Sequence, residues 1–401
     1  MRRRFAAIVL IMVLLSGCSN YTPFVRLEQR IMVQLIGIDI QDGVYSVTVQ
    51  FSMGKTSDGG KTENDLKTVT GTGDTVYSAI KQARAGIGKE FFFTHTQVLF
   101  LGEEVVKYNA IKAIEDYLLY CDEHSAALVA GVYGKAEDIL NLTFKDEYSD
   151  KNKLLLVLEN ANNNGIYPAF PIYRTLMDAY SASGSFFLPM IQEVQAEENE
   201  GGDNSSVDSG GGEGGDSGGG GDSESGGGDS GGSGGSEQET PPKVMPMGGA
   251  LIIDGQIAGF MDEQQCAGLA TFVCCTNVSS IDFLYDDTPS TLEIFNLNTR
   301  ISPGFDGEKL RFRVTFTASS SEAYNPILTQ VDVEEFRKVA TEALKKRLES
   351  SLEFVTGLGG DLFMLEDWLK HLDYRLWKKV ESNWCQHLRD AEFVYTIDIA
   401  N

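Results

Sequence analysis

RIMVQLIGIDIQDGVYSVTVQFSM, residues 30–53, is two β-rich runs around Asp42-Gly43. Asp-Gly between such runs is a strong short-range hairpin signal. In the second run Tyr45, Val47 and Val49 alternate with smaller or polar residues, so one face of that strand is expected to be buried. A sheet with a covered face therefore opens the folded part of the chain.

The next stretch, GTGDTVYSAIKQARAGIG, reads as a helix. Asp74 or Thr75 can cap it, and Val76, Ala79, Ile80 and Ala83 fall at helical spacing before Gly86 and Gly88 stop it. FFFTHTQVLFLG is a mostly apolar strand suited to the middle of a sheet, AIKAIEDYLLYCDE a helix, and SAALVAGVYG a further buried strand. Hairpin, helix, strand, helix, strand is the order of an α+β layer domain.

The same vocabulary returns near the other end. GGALIIDGQIAGFM is a hairpin turning at Asp254-Gly255, followed by a helix from about Asp262 to Thr271. Strands near Thr291 to Ile301 and Lys309 to Thr317 are expected to flank turns at Pro303-Gly304 and Asp306-Gly307. A long helix starts near Asp332 with Phe336, Val339, Ala340, Ala343, Leu344 and Leu348 along one stripe. Another runs from about Asp361 to Trp384, and EFVYTIDIA is a strand. The expected architecture is α+β: several subdomains of mostly antiparallel sheet flanked by helices, in two regions.

Between the regions lies EENEGGDNSSVDSGGGEGGDSGGGGDSESGGGDSGGSGGSEQET, whose only hydrophobic residue is a valine. Such a segment cannot bury enough surface to offset its ordering entropy, so residues 196–243 are expected to be a disordered linker. As a flexible coil of about 45 residues it would span roughly 35–40 Å end to end. Ala196 to Thr240 also hold twelve acidic residues and no lysine or arginine, roughly half the source of the formal net charge of −25. The remainder is moderately acidic with no basic stripe, which argues against nucleic acid as a partner.

Chemistry-bearing residues are sparse. Gly71-Thr72-Gly73 has neither the G-K-[ST] of a phosphate loop nor a third glycine at dinucleotide spacing. His95 sits among apolar neighbours on the expected buried strand with no nucleophile motif to serve. His371 and His387 lack an H-E-x-x-H pattern, and Cys121-x-x-His124 lacks a second half. Glu103-Glu104 and Asp286-Asp287 read as solvated surface pairs, and Cys274-Cys275 in LATFVCCT as core or edge residues. No catalytic constellation, metal site or cofactor site is visible, so the chain is read as a non-enzyme.

The first residues, MRRRFAAIVLIMVLLSGCSN, have the parts of a secretory signal: Arg2 to Arg4, the apolar run Phe5 to Leu15, then small residues before Cys18. The run is about half of the roughly 20 residues a spanning helix needs. Leu15-Ser16-Gly17-Cys18 resembles the lipobox of bacterial lipoproteins, which implies that residues 1–17 are a signal peptide. Cys18 would then be the first mature residue, carrying an S-diacylglycerol and N-acyl anchor.

Several blocks in order resemble the Ger(x)C family of spore-germination lipoproteins, the C subunits of nutrient germinant receptors. They are the lipobox, LIGIDIQDGVYSVTVQF, GTGDTVYSAIKQA, and FFFTHTQVLFLGEE with its Thr94-His95-Thr96 and Gly102-Glu103-Glu104. After the linker come GGALIIDGQIAGFMDEQQCAGL and DLFMLEDWLKHLDYRLWKKVESNW. The chain departs at Ser19-Asn20, where members carry Trp-Asp, and at Met364, which replaces the glycine of a D-x-F-G block. Residues 18–195 and 244–401 would be the family's N- and C-terminal regions. The resemblance implies a lipid-anchored protein on the outer face of the spore inner membrane, partnered by integral-membrane A and B subunits. The competing reading is a solute-binding lipoprotein of a transporter. It needs two hinged lobes of parallel sheet, and the long linker and the two hairpins argue against it.

Overall fold

The computed structural model describes residues 30–56, 62–121, 126–142, 152–194, 243–273, 278–305, 307, 309–320 and 332–400. Cys18, His124, Cys274, Cys275 and the linker 195–242 lie outside the described residues, as does the side chain of Cys121. The α+β class holds, with two sheets and helices on their faces.

The first sheet grows outward from the opening hairpin. β1 (Arg30–Gln41) and β2 (Val44–Thr56) turn at Asp42 (φ 51°) and Gly43 (φ 80°), and β3 (Thr62–Gly73) adds antiparallel to β2. Helix α1 (Val76–Ile87) starts from a capping box: Thr75 Oγ1 accepts from the Ser78 amide at 3.1 Å, and Ser78 Oγ accepts from the Thr75 amide at 3.0 Å. Gly71 and Gly73 belong to β3, beneath α1. A Cβ on Gly71 would collide with the Ala79 carbonyl and the Ala83 amide, so close helix–strand approach explains the glycine string.

FFFTHTQVLFLG is not one strand. β4 (Glu90–Phe92) and β5 (Val98–Leu101) each run parallel to β1, and the Thr96 amide donates to the Phe93 carbonyl (2.8 Å) to bend the chain between them. His95 therefore sits exposed on the bend, 6.0 Å from the Phe92 ring centre, and is not a buried strand residue. Helices α2 (Glu103–Tyr108) and α3 (Ala110–Cys121) then lead to β6 (Leu128–Val132), parallel to β5. Helices α4 (Ala136–Asn141), α5 (Lys153–Asn163) and α6 (Ile172–Ala179) lead to β7 (Ser185–Val194), parallel to β6.

β8 (Lys243–Ile253) pairs antiparallel with β7, and β9 (Gln256–Met261) pairs with β8 through Asp254 (φ 51°) and Gly255 (φ 78°). The order is β3-β2-β1-β5-β6-β7-β8-β9, with β4 beside β1: antiparallel arms around a parallel centre.

This topology changes the meaning of the linker. Val194 pairs with Lys243, so the residues that flank 195–242 sit on neighbouring strands about 4.8 Å apart rather than 35–40 Å. The segment is inserted in a hairpin and does not set the spacing of the two regions. Replacing residues 197–240 by a four-residue Gly/Asn turn is expected to raise stability by about 2 kcal/mol, the loop-closure difference. Urea unfolding with an unchanged slope would show it; a lower midpoint would mean the insertion makes contacts of its own.

After α7 (Glu263–Phe272), the second sheet runs β10 (Val278–Tyr285), β11 (Thr288–Phe305), β12 (Leu310–Ser320) and β13 (Glu392–Ala400), with β13 parallel to β12. Pro303-Gly304 is not a turn: both residues continue β11, opposite Phe312 and Arg311. Among the described residues, β11 past Phe295 pairs with β12 alone, a sheet-edge position that tolerates a residue lacking an N–H.

The long helix α8 (Val333–Gly357) is capped by Asp332, as its sequence indicates, and buries Phe336, Ala340, Leu344, Leu348, Leu352 and Val355. Its large apolar side chains contribute roughly 1.5–3 kcal/mol each before entropy is counted. The helix expected over 361–384 is three: α9 (Leu365–Leu372), α10 (Tyr374–Val380) and, after a 3-10 turn, α11 (Trp384–Arg389). Asp373 breaks it, adopting φ −146° and accepting from the Leu376 amide at 2.9 Å, so it caps a new helix.

One core cluster spans the boundary between sheets. Phe187 and Leu251 of the first pack in the same cluster as Phe272, Phe363 and the inward face of the second. Among the described residues no helix is long and apolar enough to cross a membrane.

Candidate functional site

Two places draw together the residues that the sequence blocks single out. The first is at the carboxyl ends of β1, β5 and β6, where α/β sheets commonly bind ligands. Asp39, near the end of β1, is 7% exposed, and its carboxylate accepts from the amides of Ala136 (2.8 Å) and Glu137 (3.0 Å) at the start of α4. Burial pushes its carboxyl above the usual range, and those two amides oppose the shift. Gly102 lies so near that a Cβ there would strike Asp39 Oδ1. The glycine before Glu103-Glu104 is thus required by the Asp39 carboxylate.

Glu103 interlocks with the end of β6. Its amide donates to the Gly134 carbonyl (2.8 Å), and its Oε2 accepts from the Gly134 amide (3.0 Å). Lys107 pairs with both Glu103 (2.8 Å) and Glu104 (2.9 Å). The bond from Lys107, then that from Gly134, holds the Glu103 carboxyl below the usual range. A cleft of about 1130 Å³ opens here, lined among others by Asp42, Ser46, Thr72, Tyr108 and Lys135. Asp39 and Glu103 are committed to structural bonds. Among the described residues no group of three or more His, Cys, Asp or Glu could hold a metal ion.

The second place joins the two regions. Asp361, buried, accepts from the amides of Phe363 (3.2 Å), Leu365 (2.9 Å) and Glu366 (2.8 Å). Its own amide donates to Ser185 Oγ on β7 (2.8 Å). Glu366 Oε2 accepts from the Ala182 amide (2.8 Å), while its other oxygen meets Lys370. Residues 181–185 and 361–366 are therefore tied by a buried polar network. Burial raises the Asp361 carboxyl to about 6 against the pull of those amides.

Met364 adopts φ 60°, ψ 30°, the left-handed region that favours glycine, where the resembled pattern carries one. Its side chain lines an apolar groove of about 510 Å³ with Phe272, Leu297, Phe363, Trp368 and Leu372. Met364→Gly is expected to stabilise the fold by about 1 kcal/mol by removing the Cβ strain. A rise in the urea midpoint checks it; a fall would mean that the groove contacts outweigh the strain.

Of the other candidates, Cys266 is buried and its thiol is pushed up by burial, while Cys385 is half-buried against the Ala182 carbonyl. Both are free thiols. His371 Nδ1 sits 2.7 Å from the Asp367 carbonyl, and His387 lines a surface recess with Lys309 and Asp390. The structure brings none of the described histidines, His95, His371 and His387, into either network. Sequence reading missed Asp39, Asp361 and Ser185, although the aspartate of the D-x-F block marked one of them.

Two family models match the chain. "Spore germination protein N-terminal domain" covers residues 24–193, and "Spore germination B3/ GerAC like, C-terminal" covers 247–400. The chain belongs to this family of spore germination proteins. In fold it is similar to a solved structure described as the crystal structure of the GerBC protein. The TM-score is 0.53 at 14% identity, over 91% of this chain and 97% of that one. No curated protein matches the chain.

Proposed function

We propose that the chain is the C subunit of a spore nutrient germinant receptor, working in germination with integral-membrane A and B subunits. In this reading Cys18 carries the lipid that holds it on the outer face of the spore inner membrane, and it has no catalytic role. The observation that carries the reading is the pair of family matches, which take in both regions on either side of the insertion. The hydrogen bonds of Asp39 and Asp361 go to backbone amides and fix architecture. The transporter reading needs two lobes that close about a hinge, whereas here β7 and β8 join both sides of the insertion in one sheet.

The test is genetic and biochemical. In a strain whose response to one nutrient relies on this receptor, removing the chain should abolish germination with that nutrient, and resupplying it should restore the response. The tagged chain should co-isolate with the two membrane subunits after mild detergent extraction. Undiminished germination without the chain would overturn the proposal.

A further inference from the structure

The exposed apolar side chains of the first region include a contiguous group. Helices α3 and α6 pack on one face of the sheet, burying Ala113, Ile114 and Tyr117 of α3 and Ile172 of α6. On the outer side of α6, Tyr173 and Met177, and then the C-cap residue Tyr180, follow at i, i+4 and i+7 and are 52%, 65% and 70% exposed. The Tyr180 hydroxyl meets Glu115 of α3, and Leu119, one turn beyond Glu115, is 69% exposed. Four large side chains on two helices thus form one outward surface. Ion pairs within each helix, Arg174–Asp178 (2.8 Å) and Lys112–Asp116 (2.5 Å), supply polar neighbours.

Register places this surface at a particular end of the sheet. Leu35 pairs with Val98 and Val98 with Leu128, whereas Arg30, five residues earlier on β1, pairs with Glu90. α3 runs from the carboxyl end of β5 back toward the start of β6, and its Tyr117 ring lies 6.3 Å from that of Phe93, just past β4. α6 begins at the same end, where the Ile172 amide donates to the Ala127 carbonyl (2.9 Å), and finishes before β7 begins. The outward surface and the first described residue, Arg30, therefore share one end of the sheet. Eleven residues, 19–29, separate Arg30 from Cys18, and the chain between the two reaches at most about 40 Å.

We propose that Leu119, Tyr173, Met177 and Tyr180 form a lipid-contacting surface that rests at the headgroup–acyl boundary and orients the chain on its membrane. This deepens the proposed function and rests on the lipid anchor at Cys18. Tyrosine suits that depth, with its ring among apolar groups and its hydroxyl in the headgroups. Four side chains fall well short of the roughly 20–30 residues a side of a stable protein interface. They suffice to orient a protein whose attachment two acyl chains already provide.

The test uses the full-length lipidated chain in vesicles of phosphatidylcholine and phosphatidylglycerol with brominated acyl chains, which quench tryptophan on contact. Leu119→Trp and Met177→Trp replace exposed side chains and should leave the fold intact. Leu284→Trp, at a 63% exposed position on β10, serves as the control. The added emission of the first two should fall at least twofold with brominated lipid, and that of the control should not. A chain that floats with the vesicles while both reporters stay unquenched would overturn the lipid contact alone. So would reporters that become shielded only when the A and B subunits are reconstituted too, which would assign the surface to a protein partner. A chain that fails to float would overturn the anchor and this contact with it.

Discussion

Asp361→Ala is expected to lower the stability of the folded chain by about 3–5 kcal/mol, enough to remove much of a typical domain's margin. The carboxylate accepts three backbone N–H groups, two of them from the first turn of α9. Met364, the residue at the N-cap position of that helix, contributes no side-chain bond, so Asp361 does the capping from three residues upstream. Leaving buried amides unpaired costs about 1–3 kcal/mol each, less where the helix end can shift to admit water. The bond from the Asp361 amide to Ser185 uses backbone and survives the substitution. The loss should therefore be felt first at α9 and at the joint with residues 181–185, as faster amide exchange there before global unfolding.

The same residue gives a pH test with a definite sign. Its carboxyl titrates near 6 when folded, against an unperturbed 3.8, so between those values the native state holds the extra proton. Its contribution to stability is fully present below about 3.8 and is lost as pH rises through 6, on the order of 3 kcal/mol at most. Asp361→Asn removes the titration and keeps one acceptor. Measured against that variant, the parent chain should be more stable at pH 4 than at pH 7. A difference that stays flat with pH would mean that folding leaves the Asp361 carboxyl at its unperturbed value.

What the sequence made legible follows from local rules. Asp42-Gly43 and Asp254-Gly255 turn where Asp-Gly should, because both positions take positive φ. Asp262 and Asp332 cap their helices because each side chain reaches the amides of the first turn. What stayed hidden depends on residues distant in sequence. Nothing near residue 194 announces pairing with Lys243 across the acidic glycine-serine insertion, nor that Gly102 is a glycine because Asp39 lies against it. Asp373 shows the limit of periodicity: Leu365, Leu369, Leu372 and Leu376 keep helical spacing across a break that one side-chain cap imposes. The region joint is hidden for the same reason, since Ser185 and Asp361 are 176 residues apart.

Cys18→Ala is expected to move the protein from the detergent-rich to the aqueous phase in detergent phase separation, and to abolish the receptor's response in spores. Anchoring by acyl chains scales with buried methylenes, at about 0.8 kcal/mol each, and one chain alone binds only marginally. In the proposed chemistry the thiol is where the first two chains are attached, so the substitution removes the anchor as a unit. The remaining apolar features do not replace it. Phe5 to Leu15 is eleven residues, against roughly 20 for a spanning helix, and no described helix can cross a bilayer. The four exposed side chains on α3 and α6 can orient an attached chain, yet lack the acyl length to hold a free one. Partition of Cys18→Ala into the detergent phase at the level of the parent would mean that another segment carries the attachment. Restoring attachment through an unrelated lipidated leader fused ahead of residue 19 should then recover germination, because in this account the lipid supplies place and not recognition.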